Sequence, residues 1–147
     1  MAGASADSLE LRGFGFEDYE AAIELWKRCP GVGLSSADGK PEIATFLEKN
    51  PGLCFAAWAE GRLAGTSLCG SDGRRGYLYH VAVDPARRGR GIGRALAEAS
   101  LAGLSRAGIK KCHLFVLADN EAGSAFWRAI GWTGRDDIYV FSKDVVV

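Results

Sequence analysis

The most informative stretch of the sequence is residues 81–96, which read VAVDPARRGRGIGRAL. An apolar strand pattern ends at Asp84-Pro85, a loop rich in Gly and Arg follows, and a helical pattern begins near Ile92. Gly91 and Gly93 allow a tight turn and a close approach of a ligand to the main chain. The first amides of a helix lack intrahelical partners and, together with the helix dipole, attract anions. The stretch therefore predicts a phosphate-binding turn between a strand and a helix.

The order of the residues in this turn separates three kinds of phosphate site. A P-loop ends in Gly-Lys-Ser or Gly-Lys-Thr, which is missing here. A dinucleotide fingerprint, G-x-G-x-x-G, follows the first strand directly, whereas this chain has R-x-x-G-x-G after several strands. The third kind of site binds the pyrophosphate of an acyl-CoA. Guanidinium groups suit phosphate oxygens, and four arginines surround the turn: Arg87, Arg88, Arg90 and Arg94.

A second block about 30 residues later contains Asn120, Phe126-Trp127 and Gly131-Trp132. With the segment from Arg88 to Gly93, it closely resembles the two motif blocks of the GNAT superfamily of acetyltransferases. The resemblance covers nearly the whole chain. Two positions depart from the family pattern, since Gly123 replaces a small Ala and Trp127 replaces a Tyr.

Working outward, alternating and continuous apolar runs predict strands at residues 9–13, 53–59, 63–69, 77–83, 110–117 and 138–147. Helical spacing predicts helices at residues 16–29, 41–50, 92–107 and 124–130. Antiparallel strands followed by a strand–helix–strand–helix–strand run predict a mixed α/β sheet. The resemblance implies a GNAT-type sheet of about six to seven strands, with an antiparallel N-terminal meander, a splayed parallel pair in the centre and about four helices on both faces.

Length and composition fit one soluble domain, residues 1–147, with residues 1–7 expected to be disordered. The chain is 48% hydrophobic and 24% charged, and it has no run of 18 apolar residues. Its N-terminus lacks a signal-peptide pattern, which predicts a cytoplasmic protein with no membrane partner. The formal net charge is zero, which disfavours nucleic acid. Residues 1–60 carry ten acids against five bases, so the second half is correspondingly positive.

Cysteine and histidine spacing predicts no metal site. Cys29, Cys54, Cys69 and Cys112 contain no C-x-x-C pair and fit buried free thiols. The two histidines, His80 and His113, are 33 residues apart. The spacing therefore gives no support for zinc.

The resemblance implies that acetyl-CoA is the co-substrate and that it binds where the strands at residues 77–83 and 110–117 separate. It implies that the Val81 N–H polarises the thioester carbonyl, that Val83 holds the pantetheine amides, and that amides from Arg88 to Arg94 bind the pyrophosphate. The full set of expected contacts is Val81, Ala82, Val83, Arg88, Gly89, Arg90, Gly91, Ile92, Gly93, Arg94, Asn120 and Trp127. Asn120 has a second reading as a helix N-cap.

The implied reaction is direct attack of a neutral amine on the acetyl carbonyl, which requires a proton acceptor. Period-two alternation puts Tyr77, Tyr79, Val81 and Val83 on one face, and the resemblance assigns Tyr77 and Tyr79 to a proton relay through water. His80 is expected on the opposite face unless a bulge shifts the register. Trp127 cannot act as an acid, so solvent would protonate the departing thiolate.

Two other functions stay open. A CoA-binding sensor without turnover is one, because Trp127 replaces the Tyr of the family. A basic interaction module for nucleic acid is the other, although the arginines cluster on one turn without interleaved aromatic residues. The acceptor, a small-molecule or protein amine, is not readable from the sequence. The protein is expected to be a monomer or a homodimer.

Overall fold

A computed structural model describes residues 8–146 and divides them into two compact units. The first unit extends to Phe115 and contains a sheet with three helices, and the second begins at Val116 and contains one helix. The residues expected to be disordered, 1–7, lie outside the described residues. No helix of residues 8–146 is long and apolar enough to cross a membrane.

The sheet has five strands whose spatial order equals their order in the chain. The first four pair antiparallel, which confirms the predicted meander, and the last two pair in parallel. The strands are β1 (Glu10–Gly13), β2 (Phe55–Ala59), β3 (Arg62–Ser71), β4 (Gly76–Val83) and β5 (Cys112–Leu114).

The four helices agree in number with the prediction. They are α1 (Tyr19–Lys27), α2 (Lys40–Lys49), α3 (Ile92–Arg106) and, in the second unit, α4 (Glu121–Ala129). Short 3₁₀ turns at Phe16–Asp18, Ser36–Asp38 and Pro85–Arg87 precede α1, α2 and α3. In the first two turns an acid reaches back to the backbone N–H that opens the turn, as Asp38 does to Ser35.

Helices cover both faces of the first unit's sheet. On one side, here the α1–α2 face, Leu25 and Trp26 of α1 and Ile43 of α2 pack in one buried cluster. On the other, the α3 face, Ile92 and Leu96 pack against the alanines of β2 and β3. The apolar residues of α3 recur at helical spacing, which is why one stripe of this helix is buried.

The hairpin between β2 and β3 forms at the predicted turn. Glu60 and Gly61 have φ angles of +54° and +75°. Positive φ at both central residues is the geometry of a type I′ turn, whose twist matches that of paired strands. The hairpin therefore follows from the backbone conformation of two residues.

The predicted strand count is wrong for the described residues, which form five strands rather than six or seven. Residues 138–146 are not a strand, and residue 147 lies outside the described residues. Tyr139 and Phe141 are 90% and 92% exposed. An apolar run supplies strand propensity, but a strand also needs an edge to pair with, and this segment pairs with none.

The parallel pair also differs from its prediction. The strand expected at residues 110–117 is formed only over Cys112–Leu114, and it pairs with β4 only from Gly76 to Leu78. Because β5 is the last strand in the described sheet, the pair lies at the edge rather than in the centre. Pairing stops just before an irregularity in β4 that bends the strand.

Candidate functional site

The Gly- and Arg-rich turn forms the N-terminus of α3. Gly89 and Gly91 both have φ of +80°, a conformation that residues with a Cβ rarely adopt, and Gly91 directly precedes the first helical residue. Asp84 anchors the start of the turn: its Oδ1 accepts the Ala86 N–H at 3.0 Å, and its own N–H donates to the Ala64 carbonyl at 2.8 Å. The sequence prediction of a strand–turn–helix unit is confirmed.

This turn presents unpaired amides. The first helical hydrogen bond runs from the Ala95 N–H to the Gly91 carbonyl at 3.0 Å. Among residues 8–146, the amides of Ile92, Gly93 and Arg94 donate to no acceptor. A Cβ built on Gly89 or Gly91 would meet no atom within 4 Å, so the space above the turn is open. The arrangement can hold an anion by main-chain groups alone.

Among the described residues, Arg87 and Arg94 of this turn form ion pairs with carboxylates. Arg87 Nη2 lies 2.7 Å from Glu60 Oε1, and Arg94 Nε lies 2.9 Å from Glu98 Oε2. The Arg88 Nε donates to the Val83 carbonyl at 3.4 Å. The Arg94–Glu98 pair is exposed, and since exposed ion pairs contribute about 0–1 kcal/mol, a phosphate can displace it. The main chain is therefore the more fixed part of the turn.

An irregularity in β4, at His80 and Val81, lies eight to nine residues before Gly89. The β3–β4 register passes from the Leu68–Tyr79 pair to the Thr66–Ala82 pair, so His80 and Val81 stand opposite Ser67 alone. His80 has a φ of +47°. A backbone conformation of this kind costs about 1–3 kcal/mol and persists only where the surroundings hold it. The strand contains a β-bulge, which leaves its extra residue outside the regular ladder.

The bulge corrects the predicted alternation of side chains. Tyr79 contacts Phe46 of α2, with ring centroids 6.0 Å apart, whereas Val83 packs in the cluster on the α3 face. Tyr79 and Val83 therefore do not share a face, because the extra residue shifts the alternation. For the same reason the His80 side chain lies on the same face of the sheet as Tyr79. This is the α1–α2 face, where the His80 ring is 4.7 Å from that of Trp26.

His80 is held in a cluster of buried polar groups. Its Nε2 lies 2.7 Å from Asp38 Oδ1, and its carbonyl accepts the Thr66 hydroxyl at 2.8 Å. The Trp26 indole donates to Thr66 Oγ1 at 2.9 Å, and the Tyr19 hydroxyl donates to the Asp38 carbonyl at 2.7 Å. Asp38, Thr66 and Trp26 are not among the residues that the sequence predicts for the site. The Ser35-x-x-Asp38 spacing gave a readable turn signal, but nothing in it indicated a histidine partner.

The two tyrosines of the expected proton relay lie on the α1–α2 face, and Tyr79 is 39% exposed. Burial of its hydroxyl raises the pKa of Tyr79, and Tyr77 contributes in the same direction. The ring of Tyr77 is 5.8 Å from that of His113 on β5. At neutral pH Tyr79 is therefore protonated and can pass a proton only by exchanging one hydrogen bond for another.

In the second unit, Asn120 is the N-cap of α4. Its Oδ1 accepts the Gly123 N–H at 2.9 Å, which confirms the capping role. A Cβ at residue 123 would lie 2.5 Å from Asn120 Nδ2, so the Asn120 side chain would have to shift if Ala stood here. The Trp127 ring contacts those of Phe126 and Trp132, with centroids 4.9 and 5.1 Å away.

Replacing Asn120 by Ala is expected to lower the free energy of unfolding by about 1 kcal/mol, because the cap to Gly123 is lost. Asn120→Asp keeps a capping oxygen and should restore most of the loss. Urea denaturation of the three proteins measures the difference. A cap with no stabilising role would leave Asn120→Ala and Asn120→Asp equally stable.

The cysteines are free thiols, of which three are buried and Cys112 is half-buried. Burial raises the pKa of Cys54 to about 11, so this thiol is unreactive at neutral pH. Within residues 8–146 no three potential ligands of the His, Cys, Asp and Glu types come together as a metal site.

Residues 19–132 match the model of the acetyltransferase (GNAT) family. The chain is 35% identical over 144 residues to an acetyltransferase of Photorhabdus laumondii, covering 95% of this chain and 97% of the relative. The fold is similar to PaiA N-acetyltransferase from Thermoplasma acidophilum in complex with coenzyme A, with a TM-score of 0.78, 20% identity and coverage of 88% and 92%. It is also similar to the ribosomal-protein-S18-alanine N-acetyltransferase of Escherichia coli, with a TM-score of 0.70, 24% identity and coverage of 84% and 77%.

Proposed function

This chain belongs to the GNAT family of acetyltransferases, and we propose that it moves an acetyl group from acetyl-CoA to a primary amine by direct attack. The observation that carries the proposal is the short distance along the chain between two backbone features. The β4 bulge at Val81 and the open N-terminus of α3 are separated by about ten residues. The bulge sets His80 and Val81 opposite one residue of β3, and the helix N-terminus offers a set of amides for an anion.

The residues present fit acetyl-CoA. The free amides of Ile92, Gly93 and Arg94 and the open space at Gly89 and Gly91 suit a pyrophosphate. Arg88 and Arg90 lie in the same turn and are proposed to contact the pyrophosphate. Ala82 and Val83, at the end of β4, are proposed to hold the pantetheine arm. Asn120 and Trp127 are proposed as further contacts on the family resemblance alone.

The Val81 N–H is proposed to polarise the carbonyl that the amine attacks. When bound, acetyl-CoA supplies an activated acyl group and a thiol leaving group. A backbone donor aimed at developing negative charge is worth about 3–4 kcal/mol of the barrier. In this proposal the α1–α2 face is the acceptor side, and Tyr77 and Tyr79 hold water there. Trp127 cannot donate a proton, so solvent protonates the leaving thiolate.

A positively charged amine suits the acceptor side electrostatically. Residues 1–60, which include α1 and α2, contain ten acids and five bases. Such an excess attracts cations and raises their local concentration. The E. coli neighbour is named for acetylating an alanine amine. We therefore propose small or peptide primary amines as the acceptor class.

Thermal melting with acetyl-CoA, free CoA and an oligonucleotide tests the donor site. Ligands that bind the folded state raise the midpoint by mass action, so both CoA species should raise it and the oligonucleotide should not. CoA release is then measured over a panel of polyamines, amino acids, aminoglycosides and peptide N-termini. No shift with acetyl-CoA contradicts the proposed site. A shift without CoA release from any amine supports a sensor instead.

A further inference from the structure

We propose that His80, oriented by Asp38, takes the proton that the acceptor amine loses during acetyl transfer. The inference rests on the proposed function. In the step, a C–N bond forms between the amine and the acetyl carbon, and the C–S bond to CoA breaks. The amine proton moves to the His80 imidazole, directly or through one water, and the thiolate takes a proton from solvent. His80 then returns its proton to solvent.

The hydrogen bond to Asp38 sets which ring nitrogen of His80 is basic. Asp38 Oδ1 lies 2.7 Å from Nε2, and its Oδ2 accepts the Ser35 N–H at 2.9 Å. An ionised carboxylate can only accept hydrogen bonds, so Nε2 of a neutral imidazole carries the proton. The lone pair is then on Nδ1, which has no hydrogen-bond partner among residues 8–146. A free lone pair on a fixed imidazole is what a general base needs.

The pair is enclosed rather than a surface ion pair. The side chains of His80 and Asp38 are 15% and 10% exposed. The imidazole lies against the Trp26 ring, and the Trp26 indole and the Thr66 hydroxyl form a hydrogen-bonded chain that ends on the His80 carbonyl. The ring and the backbone of His80 are thus both held, although its φ of +47° is unfavourable for a residue with a side chain.

His80 lies directly before the proposed oxyanion donor, Val81, and both occupy the bulge of β4. The titratable groups that face the pair are Tyr19 from α1, which bonds the Asp38 carbonyl, and Tyr79 from β4 on the same face. Burial raises the pKa of Tyr79, so its hydroxyl cannot act as the base at neutral pH. An imidazole with a free ring nitrogen can act as the base.

The experiment uses the full chain and the amine that gives the fastest CoA release in the panel. His80→Gln is expected to lower kcat by about 100-fold or more, within the range that general base catalysis supplies. The dissociation constant of acetyl-CoA should stay unchanged. An exposed residue outside the site provides the control: Arg106→Gln, at the C-terminal end of α3, should retain the activity of the wild type.

A pH profile separates a base from a merely structural histidine. The wild-type kcat should depend on pH more steeply than that of His80→Gln, because protonation of the amine contributes equally in both proteins and only the wild type has an imidazole to accept the proton. Asp38→Asn is the second variant. It keeps the size of the side chain but can donate to Nε2, which moves the ring proton to Nδ1, so kcat should fall without loss of acetyl-CoA binding.

The outcomes distinguish a failure of the proposed function from a failure of the role proposed for His80. If wild-type protein releases no CoA with any amine, the proposed function fails, and this inference fails with it. If the wild type is active and a folded His80→Gln protein keeps both the wild-type kcat and the wild-type decrease in kcat at low pH, this inference alone is overturned. If His80→Gln does not fold, Asp38→Asn decides, because an unchanged kcat and pH profile in that variant also overturns the role of the pair.

Discussion

Gly91→Glu is expected to abolish acetyl-CoA binding, with a dissociation constant at least about 100-fold higher in isothermal titration. Two causes act together. The φ of +80° at this position costs a residue with a Cβ about 1–2 kcal/mol. The new carboxylate would stand at the amides of Ile92 and Gly93, where a like charge opposes a phosphate by several kcal/mol.

Gly108→Glu is the matched control for backbone strain. Gly108 follows the other end of the same helix, has a φ of +82° and also has no atom within 4 Å of a built Cβ. It should lower the thermal midpoint about as much as Gly91→Glu but leave acetyl-CoA binding intact. Equal binding losses in the two variants would contradict the assignment of the turn to the pyrophosphate.

Trp26→Ala is expected to cost about 3–5 kcal/mol of the free energy of unfolding. The side chain is 1% exposed, stacks on Phe14 with centroids 6.4 Å apart, and donates to Thr66. Because small domains are stable by about 5–15 kcal/mol, the variant should be largely or partly unfolded near 37 °C. Urea denaturation followed by circular dichroism measures the loss.

Two conservative variants separate packing from hydrogen bonding. Trp26→Phe removes the indole donor to Thr66 and is expected to cost about 1–3 kcal/mol. The Trp58 Nε1 is buried without a partner among the described residues, so Trp58→Phe removes an unsatisfied donor and should be close to neutral. If both variants lose equal stability, the hydrogen bond to Thr66 does not stabilise the fold.

Local signals in the sequence are sufficient to predict most elements of the first unit. Each of these signals acts through the backbone of one or two residues. They are the turn at Glu60-Gly61, the end of β4 at Asp84-Pro85 and the glycines before α3. Because their effect does not depend on distant parts of the chain, the amino-acid sequence alone predicts the antiparallel strands and the helix N-terminus.

The remaining features depend on contacts between distant residues. His80 and Asp38 are 42 positions apart, and no spacing rule relates a histidine in a strand to an acid in a turn. The bulge at His80 and Val81 depends on a mismatch with β3 that period-two counting cannot detect. Residues 138–146 have the composition of a strand, but in the described structure they pair with no other strand. Composition alone does not provide a partner strand.

The central claim is that the chain transfers an acetyl group to an amine. Its most direct test is mass spectrometry after incubation with acetyl-CoA labelled with ¹³C in the acetyl carbonyl and an amine from the panel. We predict one labelled amide for each CoA released, and neither product with Gly91→Glu. Release of CoA with the label only in acetate, or no labelled amide from any amine class, would contradict the account.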